Sequence, residues 1–185
     1  MIRGIRFYAV VVLGVAAIGS LGCHSFVRMS PDYSELPVEG LKEVARAIEQ
    51  AVADGVRAPS LPSQDGIVVS GDAVLQSIRT RAARSELITG FRETGHVAEM
   101  RNGTIAIINS REYKKESRRN DRARNALLIM SENDDRWKLY EGLVKDNNFP
   151  PRSLSAVQRI FFEARLESLG AGHRYEDENS DLVSR

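Results

Sequence analysis

The chain has 185 residues, of which 42% are hydrophobic and 28% charged, and its formal net charge is +1. That size and composition are typical of one modest globular domain. The near balance of charge excludes a protein whose whole surface attracts nucleic acid, and a chain with one cysteine forms no internal disulfide.

The first 22 residues have the pattern of a secretory signal. Arg3 and Arg6 precede an apolar run from Phe7 to Leu21, which is shorter than the roughly twenty residues that a membrane-spanning helix needs. The run closes on Leu21-Gly22-Cys23, which resembles a bacterial lipobox, although Ser20 stands where a leucine is usual. Residues 1–22 are therefore predicted to be a lipoprotein signal peptide.

Cys23 is then the first mature residue and carries acyl chains such as palmitate, so that the membrane is an expected partner. An uncleaved N-terminal anchor and ordinary cleavage without lipid are the alternatives. Removal of Arg3 and Arg6 leaves 24 basic residues against 25 acidic ones, a net charge of about −1. The expected location is the cell envelope, facing the periplasm, at the outer rather than the inner membrane.

A tether and a helix follow. Residues 23–40 contain two prolines and no clear period, so they are predicted to be a flexible, lipid-anchored tether. Residues 41–54 are predicted to form a helix, because their apolar residues recur at the spacing of one helical face. These residues are Leu41, Val44, Ala45, Ile48, Ala51 and Val52.

Residues 72–94 are predicted to form a second helix, with Gly95 ending it. Its apolar contacts are expected from Ala73, Ile78, Ala82, Leu87 and Phe91, with Arg79, Arg81, Arg84 and Arg92 outside. Asn102-Gly103 then lies between two short alternating runs, which predicts a β-hairpin over 97–108 because both residues tolerate positive φ. The hairpin must pack on the helices, because two strands alone are marginal in water.

A third helix is predicted over 117–146, although Ser131 and Asp134 could mark a break within it. Its expected inner face includes Ala123, Leu127, Met130, Trp137, Tyr140 and Val144. Residues 111–124, at its start, hold seven basic residues. They are interpreted as a solvated helix face or as a contact for anionic lipid headgroups, through Lys114, Lys115, Arg118 and Arg119.

The last predicted helix spans 153–169, with Leu154, Val157, Ile160, Phe161 and Ala164 inward. Residues 173–185 are predicted to be an acidic tail that adds at most one short element. The fold class is therefore mainly α with one small hairpin (α+β), and the helical domain covers 41–172.

Known catalytic patterns are scarce in this sequence. The three histidines, His24, His96 and His173, are scattered, and no two-histidine metal motif, nucleophile elbow or phosphate loop occurs. We therefore expect no metal, no cofactor and no enzyme activity. The acidic residues leave one alternative open, a hydrolase with paired carboxylates. Glu99 would face a cleft in such an enzyme, and on the other interpretation it is simply solvated.

Residues 72–182 resemble the YdbL family of small exported proteins. Gly95, Glu99 and Gly103 match its Gly-x-x-Gly-Glu-x-x-x-Gly-Tyr turn, with Ala98 and Thr104 in place of the second glycine and the tyrosine. Its Asn-x-x-Arg-x-x-x-Tyr helix matches Asn133, Arg136 and Tyr140. Val157, Gly172 and Tyr175 fit its final helix and turn. The basic stretch and the lipobox are departures from the family pattern.

The resemblance implies a periplasmic accessory role, and some members are thought to assist large bridge-like envelope proteins that move lipid. The matched residues are interpreted as structural or docking residues, with Asn133 and Arg136 bracing the hairpin backbone. An apolar groove between the second and third helices and the free edge of the hairpin are the expected docking sites for an envelope protein or a lipid. Nucleic acid is not an expected partner.

Overall fold

The computed structural model describes residues 30–61 and 66–185. The helices of these residues are α1 (Val38–Ala53), α2 (Asp72–Glu93), α3 (Arg111–Glu116), α4 (Arg119–Asp146) and α5 (Leu154–Ser168), with a 3-10 turn at Pro151–Ser153. The strands are β1 (Val97–Glu99), β2 (Ile105–Ile107), β3 (Arg174–Glu176) and β4 (Leu182–Ser184). The predicted α+β class is confirmed.

Four helices enclose the main core. All six apolar residues predicted for the first helix are buried, and those of α5 pack against them, with only Leu154 partly buried. Helices α2 and α4 are in direct contact, since a Cβ added at Gly142 would lie 2.9 Å from Val74 Cγ2. The groove expected between these two helices is therefore closed at that point.

The predicted hairpin is confirmed, but its turn differs. Met100 N–H donates to Thr104 O at 2.8 Å and Gly103 N–H donates to Met100 O at 2.9 Å, which closes a three-residue loop. Gly103 alone takes the positive φ, at 82°, while Asn102 accepts hydrogen bonds from Thr104 through its side chain. Three-residue hairpin loops commonly place a glycine at this left-handed position. Val97 and Ile105 pack in a second, smaller core against α2 and α4.

The prediction of an acidic tail at 173–185 is wrong, because these residues form two strands. The sheet has the order β2-β1-β3-β4, with β3 parallel to β1 and Tyr175 opposite Glu99. Asp177 closes the β3–β4 turn by accepting from the backbone N–H groups of Asn179 and Asp181, each at 2.8 Å. The edge of β1 expected to be free is therefore paired within the chain.

The tether predicted over 23–40 is also too long. Arg152 pairs with Asp32 at 2.8 Å and with Glu35, and Leu36 and Val38 pack on the main core. These contacts attach the chain from Asp32 onward to the folded domain. Cys23 and the signal segment lie outside the described residues.

The predictions for the middle helices are partly wrong. The third predicted helix is confirmed as α4, which begins two residues later than predicted and continues unbroken through 131–135. A short helix that was not predicted, α3, precedes it, and Ser117 and Arg118 adopt extended backbone between the two. Several residues expected to face inward are exposed instead: Ala73, Leu87, Ala123, Leu127, Met130 and Trp137. Charged residues occupy the inner faces of α2 and α4 in their place, including Arg81, which was expected outside. None of the described helices is long and apolar enough to cross a membrane.

Two glycines with positive φ allow a matched test of the hairpin turn. A Cβ at Gly95 meets nothing within 4 Å, whereas one at Gly103 lies 3.0 Å from Tyr140 Cε2 and 3.2 Å from Gln158 Cβ. Gly95→Ala should cost about 1–2 kcal/mol, the left-handed penalty alone. Gly103→Ala should cost at least about 1 kcal/mol more, because it also overpacks the core. Urea unfolding measures both, and equal costs would contradict this packing.

Candidate functional site

Six charged side chains are buried together where helices and hairpin meet. Each is at most 5% exposed, although side chains of these types are rarely buried at all. Three are acidic and three basic, so that their formal charges cancel. We call them the buried ion ring; its members are Glu49 of α1, Arg81 of α2, Glu99 of β1, Glu132 and Arg136 of α4, and Arg165 of α5.

Arg81 and Arg136 form the side of the ring along α4. Arg81 bridges Glu49 at 2.7 Å and Glu132 at 2.9 Å. Arg136 bonds Glu132 at 2.8 Å and holds Glu99 through two hydrogen bonds of 2.7 and 3.0 Å. Such two-point contacts between arginine and carboxylate are strong and fix orientation as well as distance.

Arg165 closes the ring from the opposite side. Its Nη1 donates to Glu49 at 2.9 Å and its Nε donates to Glu99 at 3.0 Å. The order around the ring is therefore Glu49, Arg81, Glu132, Arg136, Glu99, Arg165 and back to Glu49. Positive and negative groups alternate throughout, so that every member has two oppositely charged neighbours.

The ring also holds the hairpin turn. Gly103 O accepts from Tyr140 Oη at 2.8 Å, from Arg165 Nη2 at 2.9 Å and from Arg136 Nη1 at 3.3 Å. Three donors on one carbonyl, two of them charged, fix the turn against α4 and α5. The expected bracing of the hairpin by Arg136 is confirmed.

Asn133 braces the outer strand of the hairpin. Its Oδ1 accepts from Ile105 N–H and its Nδ2 donates to Ile105 O, both at 2.9 Å. It thus satisfies two backbone groups of β2, as a neighbouring strand would do. Asn133 therefore occupies the outer edge of β2 at Ile105, and β3 pairs with the other edge of the hairpin along β1.

Electrostatics keep the ring ionised. Burial alone would raise the pKa of Glu99, but the charges of Arg136, Arg92 and Arg165 outweigh it and hold that pKa well below the usual range. The pKa values of Glu49 and Glu132 are likewise lowered, because their arginines outweigh desolvation. Desolvation would lower the pKa of Arg136, yet Glu99 and Glu132 raise it well above its ordinary value.

These carboxylates are poor candidates for acid–base chemistry. A general acid needs a pKa near the working pH, and each of the three is instead held as a carboxylate. The cavity beside Arg81 and Arg165 has about 20 Å³, room for about one water molecule. Glu99 is 1% exposed, so it is neither solvated nor open to a cleft. Among the described residues, no group of three or more His, Cys, Asp or Glu side chains could hold a metal ion.

Five of the six residues matched to the turn and to the Asn-x-x-Arg-x-x-x-Tyr helix of the YdbL pattern meet in this region: Glu99, Gly103, Asn133, Arg136 and Tyr140. Gly95 is apart from them and ends the turn after α2, with φ at 71°. Four ring members were missed by the sequence analysis: Glu49, Arg81, Glu132 and Arg165. The sequence could have indicated Glu49 by its position, because this residue lies on the buried face of α1 that carries Ala45, Ile48 and Val52.

Compared with known proteins, the chain matches no family model, no curated protein and no solved structure. The resemblance to the YdbL family therefore stays a prediction. The structural roles of Gly103, Asn133, Arg136 and Tyr140 rest on their own contacts.

The surface carries a second candidate site, separate from the ring. Lys114, Lys115, Arg118 and Arg119 are exposed, and none of them forms an ion pair with a described residue. These residues form the solvated face that was expected. Because their charges are not paired with described residues, they are available to an anionic partner.

The ring predicts loss of stability in acid. The unfolded chain protonates glutamates near pH 4.3, whereas the folded ring keeps them ionised at lower pH. The stabilisation is therefore present above about pH 5 and is lost as the pH falls, by up to about 1.4 kcal/mol per pH unit for each glutamate. Urea unfolding between about pH 6 and pH 3 should show this slope.

Glu167→Gln is the matched control, because Glu167 pairs with Arg46 on the surface, where the two side chains are 55% and 50% exposed. This variant should keep the slope of the unmodified protein, since exposed pairs contribute little. A free energy of unfolding that stays constant over the acid range would contradict an ionised ring.

Proposed function

We propose that this protein is a lipid-anchored accessory protein of the cell envelope, which faces the periplasm and works by binding a partner. The observation that carries the proposal is the basic start, the apolar run and the closing Leu21-Gly22-Cys23. The short stretch of chain between Cys23 and the folded domain supports the proposal, because Asp32 is already bonded to Arg152. At most eight residues, 24–31, then separate Cys23 from the folded domain, and the distance from Cys23 to Asp32 is at most about 30 Å.

The interior of the domain favours binding over catalysis. Glycoside hydrolysis by paired carboxylates needs two acids about 5–10 Å apart in a cleft, one of them protonated. The buried glutamates are instead closed in by arginines and held ionised. These buried glutamates thus serve to fix the fold. The YdbL resemblance favours an accessory role at the outer membrane beside a larger envelope protein.

Acylation of Cys23 is the first test. The unmodified chain, expressed in a bacterium with lipoprotein processing, should incorporate labelled palmitate and fractionate with membranes. Cys23→Ser should lose the label, because serine has no thiol to acylate, and globomycin should block processing of the unmodified chain only.

The outcome separates the alternatives for the N-terminus. Label that persists in Cys23→Ser contradicts lipidation at this residue. A membrane-bound chain without label indicates the uncleaved anchor, and a soluble, shortened chain indicates ordinary cleavage. Either of these outcomes overturns the lipid-anchored form of the proposal.

A further inference from the structure

One face of α4 carries apolar side chains to solvent. Leu127 is 64% exposed, Met130 66% and Trp137 43%, although the opposite face of the same helix is buried in the core. Successive steps of three or four residues place the exposed ones along one side of the helix. We call this the outer stripe of α4; it runs through Arg119, Ala123, Leu127, Met130, Asp134 and Trp137.

A positive charge adjoins the stripe at its N-terminal end. Arg119 begins the stripe, and Lys114, Lys115 and Arg118 come just before it. Residues 111–124 hold seven basic and three acidic residues, which leaves a net charge of +4. Asp134, the acid within the stripe, is offset by Lys138 at 2.5 Å. The surface thus combines exposed apolar side chains with unpaired cations.

We propose that the outer stripe of α4 and its basic end dock the domain lengthwise on an anionic lipid surface. Basic residues near an anionic bilayer contribute about 1 kcal/mol each, and leucine, methionine and tryptophan side chains insert at the boundary between headgroups and acyl chains. Tryptophan is favoured at this depth because its ring is apolar and its N–H is polar. This inference rests on the proposed envelope location and names the surface that the domain contacts there.

The attachment of the chain is consistent with this orientation. Arg152, in the 3-10 turn that follows α4, holds Asp32, so the segment that leads to Cys23 joins the domain near that turn. The basic residues lie at the other end of this 28-residue helix, about 42 Å away. An anchor at one end and cations at the other hold α4 along the bilayer.

Trp137 gives a direct readout, because it is the single tryptophan of the chain. The full chain, purified in detergent, is reconstituted into vesicles of phosphatidylcholine alone or of phosphatidylcholine with phosphatidylglycerol. We expect a blue-shifted tryptophan emission and protection from iodide only in the anionic vesicles. High salt should reverse both effects, because it screens the cations.

Two double variants with the same change of charge provide the control. The double variant Lys115→Glu, Arg119→Glu should lower the ratio of docked to undocked protein by at least about 25-fold. Arg57→Glu with Arg79→Glu alters two other exposed arginines that form no ion pair with a described residue, and it should keep the protection of Trp137. Circular dichroism should be unchanged in both.

Three results would overturn the proposal: equal iodide access in the two kinds of vesicle, equal loss of protection in the two double variants, or protection of Trp137 only by an added protein. The same preparation, with the same N-terminus, is used in both kinds of vesicle. The difference in iodide protection between the vesicles is therefore independent of acylation at Cys23, and a failed docking test is distinguishable from a failed anchor test.

Discussion

Three glutamates and three arginines alternate in a closed ring at the point where α1, α2, α4, α5 and β1 meet. Desolvating an ion costs several kcal/mol, and attraction offsets that cost only when partners are close and well oriented. The closed order meets this condition, because each member touches at least two opposite charges. A shift of one of these elements against its neighbour in the ring would take a buried charge away from one of its partners.

The hairpin and sheet depend on the ring. Glu99 belongs to β1, and the carbonyl of Gly103 accepts hydrogen bonds from two ring arginines and from Tyr140. A hairpin of two three-residue strands is marginal in water on its own. Its position is fixed here by charge-assisted hydrogen bonds from α4 and α5, and β3 and β4 extend the sheet from it. The same contacts hold the inner face of α4 and leave its outer stripe toward solvent.

The sequence predicted the elements whose inner faces are apolar. Helix α1 was predicted with all six of its buried apolar side chains, and Gly103 was predicted to hold a left-handed turn. The inner faces of α2 and α4 were assigned correctly only in part, with Ile78, Ala82, Phe91, Tyr140 and Val144 buried as predicted. The rest failed because Arg81, Glu132 and Arg136 occupy positions that a hydrophobic pattern reserves for apolar residues. Trp137 was placed in the core for the same reason, whereas the charged face of α4 is the buried one.

The C-terminal strands were missed for a different reason. Strands of three residues are too short to show alternation, and the acidic residues around Asp177 have the composition of a solvated tail. Their turn depends on Asp177 accepting backbone hydrogen bonds, and their pairing depends on β1, which is distant in sequence. Contacts of that kind are set by tertiary structure.

The central claim is that the ring acts as one unit, and coupling between two members that do not bond each other tests it most directly. Glu49 and Arg136 lie on opposite sides of the ring. Glu49→Gln and Arg136→Met should each destabilise the protein by about 3–5 kcal/mol, and the double variant should cost less than their sum by at least about 1 kcal/mol. The surface pair Arg46–Glu167, which joins α1 and α5, should show coupling below about 1 kcal/mol. Strict additivity of Glu49→Gln and Arg136→Met would contradict a closed, cooperative ring.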